Sequence, residues 1–268
     1  MPQFRIVTFN LLNKPSRWDE RRILITTELA QLCPDLIALQ EVSLPDNNAA
    51  WLAEQLKLAG CGLYTVHVSS KTGPLQGREG IAILSRLPVQ RCRTLDLFSQ
   101  GRVAQLVQVK IDGQSVILAN GHFFFHVVDH VERVRQVEHF LNWLGSTQHG
   151  IPTIVCGDFN DTPASRSIHL MQQQFTSAHT ARHGREPEYT CPTPLKYSFS
   201  SVRNVFSRLG NCLTTGSFLP WRGTIDYIFV SSRVNVMECM PVLNQPAPHD
   251  DTLYPSDHIG LTATLSLN

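Results

Sequence analysis

Short apolar runs rich in Val and Ile recur along the whole chain, at residues 4–10, 35–42, 80–85, 103–111, 115–122, 153–157, 224–230, 234–242 and 259–267. Their length and their β-branched content predict strands. Two of them alternate. Val107, Val109 and Ile111 face one way and Gln108 and Lys110 the other, and Ile259, Leu261, Ala263, Leu265 and Leu267 alternate with small and hydroxyl residues. This pattern suits antiparallel or mixed sheets with one drier face. Between the strands the period lengthens. Val131, Val134, Val137, Leu141 and Leu144 form a helical stripe, opened by the capping pair Asp129 and Glu132 and stopped by Gly145. Further helices are predicted over 19–33 and 48–59. Thr162-Pro163 predicts another, with Thr162 as N-cap and Pro at the first turn, running to Phe175. Stretches 180–220 and 244–256 are irregular and read as long loops. With no repeat, linker or break in composition, residues 1–268 read as one domain with sheets at the centre and helices outside.

Composition narrows this picture. The chain has 268 residues, 42% hydrophobic and 17% charged, which excludes a disordered chain. Its 23 basic and 22 acidic residues exclude a strongly basic nucleic-acid coat and a polyacidic tail, but not a local phosphate site. No apolar run approaches the roughly 18 residues of a spanning helix, and residues 1–12 alternate too early for a signal peptide. The seven cysteines are scattered, odd in number and never in a Cys-x-x-Cys pair. They are expected to be reduced thiols in a cytoplasmic protein.

The candidate chemistry lies at the strand ends. Asn10 closes the first run and Glu41 the second; Asp158 and Asn160 follow a buried run in Gly157-Asp158-Phe159-Asn160. Asp226 lies in Ile225-Asp226-Tyr227, and Asp257-His258 precede the last strand. Taken singly, each has an ordinary explanation as a turn, a cap or a solvated charge. Together they predict carboxylates converging on one rim, where they would hold a hard divalent cation through oxygen atoms. The chain has no Gly-x-Ser-x-Gly elbow, phosphate loop or dinucleotide fingerprint.

Taken in order, Thr8-Phe9-Asn10, Leu39-Gln40-Glu41, Asn120-Gly121-His122, Gly157-Asp158-Phe159-Asn160, Ile225-Asp226-Tyr227 and Ser256-Asp257-His258 resemble the endonuclease/exonuclease/phosphatase superfamily. The resemblance implies an α/β fold, a four-layer α/β/β/α sandwich of two mixed, mostly antiparallel sheets packed face to face with helices outside. It implies Glu41 as main metal ligand, with Asn10 and Asp257 completing or bordering a Mg2+ site that Mn2+ can also fill. Asp158 would orient or deprotonate the attacking water, helped by Asn160. His258, held by Asp226, would contact the scissile phosphate, and His122 would touch it from the opposite side. Glu79 is expected to pair with His122 as a second dyad.

The implied activity is divalent-metal-dependent hydrolysis of a phosphodiester by water, by a nuclease or nucleotide phosphodiesterase, with a nucleic acid or nucleotide as partner. A phosphatase or phospholipase-type enzyme acting on small or lipid phosphate esters is the alternative; a catalytically silent binding protein is disfavoured by the intact residue set. Trp18 and Arg21, Arg135-Gln136, Glu188-Tyr189-Thr190 and Tyr254-Pro255-Ser256-Asp257-His258 are similar to the deadenylase and nocturnin branch. Arg17, Arg21, Arg22, Arg78, Arg86 and Arg222 are candidates to ring the phosphate. If Glu41, Glu79, Asp158, Asp226 and Asp257 share one site, 17 acidic residues face 23 basic ones elsewhere. The balanced total would then hide a negative, metal-requiring pocket in a mildly positive body.

Overall fold

A computed structural model describes residues 3–126, 130–148, 150–196 and 221–268. Its strands form two six-stranded sheets. The first comprises β1 (Gln3–Asn10), β2 (Leu36–Ser43), β3 (Thr65–Ser70), β4 (Glu79–Ser85), β11 (Val234–Val242) and β12 (Gly260–Leu267), in the order β11-β12-β1-β2-β4-β3. The second comprises β5 (Val89–Asp96), β6 (Val103–Ile111), β7 (Gln114–His122), β8 (Thr153–Asp158), β9 (Thr176–Ser177) and β10 (Asp226–Val230), in the order β5-β6-β7-β8-β10-β9. Each sheet has one parallel pair at its centre, β1 with β2 and β7 with β8, and its other pairings are antiparallel.

The alternation read from the sequence sorts side chains between layers. Phe4, Ile6, Leu36 and Ala38 from one sheet meet Val107, Val109, Leu118 and Ile154 from the other in the central core. The opposite face of the first sheet, with Val7, Phe9, Ile37 and Leu39, is covered by α1 (Trp18–Leu32) and α2 (Asn48–Leu58). That of the second, with Leu106, Ile117, Ala119 and Val155, is covered by α3 (His130–Gln148) and α4 (Arg166–Gln172). Both faces of the central strands are therefore dry, and each Leu, Ile or Phe buried there contributes roughly 1.5–3 kcal/mol. The result is the expected four-layer α/β/β/α sandwich.

Several local expectations are corrected. The cap of α4 is Ser165, whose hydroxyl accepts the Ile168 N–H, so the helix starts later than Thr162 would place it. Helix α3 runs through Gly145 to Gln148, since packing on the sheet outweighs the modest cost of one helical glycine. Asp129 lies outside the described residues. Strands β3, β5 and β9 went unread because they are short or polar; β5 carries Gln90, Arg91, Arg93 and Thr94 along an edge. The irregular 180–220 stretch overlaps a short helix, α5 (Ala178–His183). The expectation of reduced thiols fails for one pair: Cys33 and Cys61 form a disulfide, with Cα atoms 5.2 Å apart. Adjacent packing of α1 and α2 joins residues 28 positions apart, which spacing alone does not disclose. Cys92, Cys156, Cys191 and Cys239 are free thiols.

The backbone is tightest where β8 meets β7. Gly157 has φ +135°, and a Cβ there would stand 2.0 Å from the Gly121 carbonyl oxygen. Gly145, inside α3, has nothing within 4 Å of the same position. Opposite outcomes follow for one substitution. Gly157→Ala should lower stability in urea denaturation by more than about 2 kcal/mol, or prevent folding. Gly145→Ala should raise it by about 0.5–1 kcal/mol.

Candidate active site

Strand register brings the polar strand ends together. In the second sheet His122 pairs with Asp158 and Asp158 with Asp226, so three titratable side chains lie in one row across β7, β8 and β10. In the first sheet Asn10 pairs with Gln40, placing Glu41 one residue further along β2. Glu41 sits in a register shift between Leu39 and Val42 and has φ 52°, a left-handed conformation. A bulge of this kind re-aims a side chain at a sheet rim, at a backbone cost of order 1–3 kcal/mol. Beneath the rim the sheets are joined by buried amides. Asn120 accepts from Gln40 Nε2 at 2.8 Å and donates to the Leu39 and Ala82 carbonyls at 3.0 and 3.1 Å.

Asp158 is the hub. Its Oδ2 accepts from Asn10 Nδ2 at 3.0 Å and its Oδ1 from the Asn160 N–H at 2.8 Å. Asn160 also has positive φ, 49°, which turns the chain back so that its amide meets the carboxylate. His122 Nε2 lies 3.4 Å and His258 Nε2 3.9 Å from Oδ2. The other His258 nitrogen, Nδ1, is 2.9 Å from Asp226 Oδ2, the expected acid–imidazole pair. Asp257, half-buried, is positioned through its carbonyl, which accepts the Thr193 N–H, and through the Ser256 hydroxyl.

Burial and neighbours push these groups apart in proton affinity. Burial raises the Asp158 carboxyl to about 7, opposed by His258 and reinforced by Asp226. For His258 burial alone would lower the affinity, yet the Asp226 carboxylate outweighs it and holds the imidazole well above its ordinary value. His122 is driven well below, by burial and then by Arg102, Lys71 and His258. The site therefore holds one cationic and one neutral imidazole either side of a carboxylate that exchanges its proton near neutrality. Groups with affinities separated in this way divide acid and base work.

The expected Glu79–His122 dyad is replaced by two other pairs. Glu79 forms an ion pair with Lys71 and accepts from Asn13 Nδ2 at 3.3 Å. Arg102 Nη1 lies 2.6 Å from His122 Nδ1 and also contacts Nε2. Lys71 continues β3 directly across from Glu79, with its N–H on the Glu79 carbonyl at 2.8 Å, so the cation reaches the carboxylate first. Lys71, Arg102 and Asn13, whose N–H donates to Glu41 Oε2 at 2.9 Å, were missed by sequence reading. Arg102, between a glycine and a strand, was the one legible sign, and that pattern is common in ordinary turns.

The six nominated arginines mostly serve elsewhere. Arg86 pairs with Asp35 at the other end of β2, Arg17 with Glu20 and Asp250, and Arg22 with Asp19 and the Trp51 ring; Arg222 lies over Tyr189. The Arg78 side chain is exposed. Arg21, fully buried, supports the rim instead. It donates to the carbonyls of Leu11, Leu12, Lys14, Ser16 and Pro255, tying the loop after Asn10 to the loop before Asp257.

Two facing sheets thus bring a His–Asp pair, a buried Asp and the Asn10 amide to one place. Residues 7–258 match the Endonuclease/Exonuclease/phosphatase family, and the chain belongs to that family. It is 26% identical to mouse (Mus musculus) 2',5'-phosphodiesterase 12 over 92% of this chain and 46% of that protein, and 25% identical to mouse nocturnin over 94% and 59%. The chain thus spans about half the length of the relatives it matches. Among solved structures, the human nocturnin catalytic domain with bound sulfate aligns at TM-score 0.73 and 23% identity, over all of this chain and 94% of that one. D. rerio TDP2 complexed with a single-strand DNA product aligns at 0.76 and 17%, over 99% and 100%. These two likenesses establish the fold.

The two imidazoles make a direct test. In proton NMR titration, His258 should stay protonated well above pH 6.5 and His122 neutral well below it. Asp226→Asn should bring His258 down to or below the ordinary imidazole value, since burial then acts with its main opponent removed. A raised folded-state value stabilises most below the unfolded value and fades as pH rises through the folded one. The stability lost in Asp226→Asn should therefore be greatest below pH 6.5 and shrink above it.

Proposed function

We propose that this chain is a divalent-metal-dependent phosphodiesterase that cleaves a nucleic acid or nucleotide by water attack. The observation that carries the reading is the setting of Asp158: a buried carboxylate held by Asn10 Nδ2 and the Asn160 N–H, with the Asp226-paired His258 imidazole on one side and His122 on the other. In this reading Asp158 takes the proton of the attacking water, and Asn10 and Asn160 hold its carboxylate in place. His258, kept cationic by Asp226, stabilises charge on the phosphoryl oxygens. Neutral His122, with Arg102 behind it, offers its Nε2–H to the same group from the other side.

Asn10 Oδ1 and Glu41 Oε2 each accept one backbone N–H, and with Asp257 they are oxygen donors of the kind a hard cation takes; beside them, Asp158, Asp226 and His258 have ligand atoms within 4.8 Å of one another. Glu41, Asn10 and Asp257 would hold Mg2+, replaceable by Mn2+. When bound, the ion would neutralise charge on the phosphate and polarise its phosphorus–oxygen bond. Lys71 and Arg102 share the pocket, so part of the acidic charge inferred from composition is balanced within the protein. The names of the relatives, a 2',5'-phosphodiesterase and a TDP2 bound to a DNA product, support a nucleic-acid or nucleotide substrate. Among the described residues no helix is long and apolar enough to cross a membrane. A cytoplasmic setting was inferred from seven reduced thiols, and the Cys33–Cys61 bond removes part of that support.

The test is hydrolysis of short single-stranded RNA and DNA with Mg2+ or Mn2+, against a chelated control. Chelation should abolish turnover and added metal restore it. Asp158→Asn should lower kcat by about 10²–10⁴-fold with an unchanged circular dichroism spectrum. Near-parental rates in that variant would overturn the role given to Asp158.

A further inference from the structure

Beside the catalytic rim, the short turns 73–75 and 99–101 and the segment after β7 enclose a cleft of about 590 Å³, a size typical of small-molecule sites. Lys71 and Arg102 line its floor, and Pro74, Leu75, Phe98 and Phe125 its walls. The two cations also belong to the catalytic cluster. Lys71 pairs with Glu79, and Arg102 touches His122 and is supported by Asp158 and Glu41. The cleft therefore opens onto the site where the scissile phosphate would sit.

The aromatic residues of this cleft face water. Phe98 is 69% and Phe125 58% exposed, although both are large and apolar. Phe98 is also held there against backbone preference. Its φ and ψ are 65° and −73°, and the Ser99 N–H bonds to the Leu97 carbonyl at 2.9 Å, a γ-turn of the rarer, strained hand. Asp96 Oδ1 secures the turn by accepting the Phe98 N–H at 2.7 Å, and the His139 ring lies 5.1 Å from the Phe98 ring. The two walls are coupled. The Gln100 side-chain amide donates to the Phe125 carbonyl at 2.8 Å and accepts the Phe125 N–H at 3.0 Å. A strained turn that presents an aromatic ring to solvent is an outlier that calls for a ligand.

We propose that Phe98 and Phe125 form a stacking subsite for an unpaired nucleobase next to the scissile phosphodiester, making them specificity-determining residues. The inference rests on the hydrolase reading above and extends it to a base-bearing substrate with a single-stranded reacting end. A flat π-system one nucleoside away from an anionic phosphate matches aromatic walls that rise from a cationic floor. Aromatic stacking accepts every base, so the subsite selects unpaired nucleotides rather than a sequence.

The full chain is tested with a short single-stranded oligonucleotide carrying 2-aminopurine, first in chelator so that binding is read without turnover. Binding should quench the probe, and Phe98→Ala and Phe125→Ala should each weaken binding about tenfold or more. Phe98→Tyr should retain it. With metal, the alanine variants should raise KM for the oligonucleotide far more than they lower kcat, and an abasic residue at the probe position should remove the difference. Thermal midpoints confirm that the variants fold. Unchanged binding and KM in the Phe98→Ala/Phe125→Ala double variant would overturn the subsite. So would variants that weaken a long-chain alkyl phosphodiester while sparing the oligonucleotide. If the wild type quenches the probe through Phe98 yet cleaves no phosphodiester with any divalent metal, the subsite stands and the hydrolase reading fails.

Discussion

A carboxylate can be buried at the seam of two sheets only if both sheets supply its partners, and Asp158 makes that demand. Asn10 reaches it from the first sheet, His122 from the neighbouring strand of its own sheet, and His258 from the loop entering β12. Without these contacts, desolvation would leave the group protonated or the strand end open to water. The amides of Gln40 and Asn120 close the layer below, so the sheets are locked by directional bonds as well as by apolar packing. Arg21 holds the loops above, with backbone carbonyls for partners. It binds the site from outside without adding its charge to the reacting centre.

The layered fold was legible because it is written in periodicity. Central strands such as β1 and β8 are buried on both faces and read as apolar runs, β12 reads as an alternating one, and α1, α2 and α3 show helical spacing. What escaped was edge structure: β5 is polar because residues on both of its faces meet solvent, and α4 starts later than read because Thr162-Pro163 and Ser165 are both credible starts. The site residues were legible for a related reason. Each sits at a strand end, where an acid or amide has no place in an apolar core. Their partners were less so. Glu79 beside His122 is what the family resemblance implies, but the choice between Lys71 and His122 depends on what stands across β4. Cys33 and Cys61 illustrate the same limit: two helices must pack before cysteines 28 positions apart meet.

Charge shows how composition and geometry divide the problem. Near-equal totals of acids and bases said nothing of arrangement. Folding concentrates Glu41, Glu79, Asp158 and Asp226 at one rim and sets Lys71 and Arg102 among them. The rim is thus a set of carboxylates interleaved with two cations, and part of its charge is neutralised within the protein.

The distances in sequence across which the rim is assembled have a kinetic meaning. Asn10 meets Asp158 across 148 positions, Gln40 meets Asn120 across 80, and Arg21 meets Pro255 across 234. Contacts this remote in the chain require loop closure on the largest scale, and the first two also require the two sheets to face one another. Either sheet alone would hold half of the reacting groups and none of the arrangement. The surroundings of Asp158 are therefore complete only when the fold is.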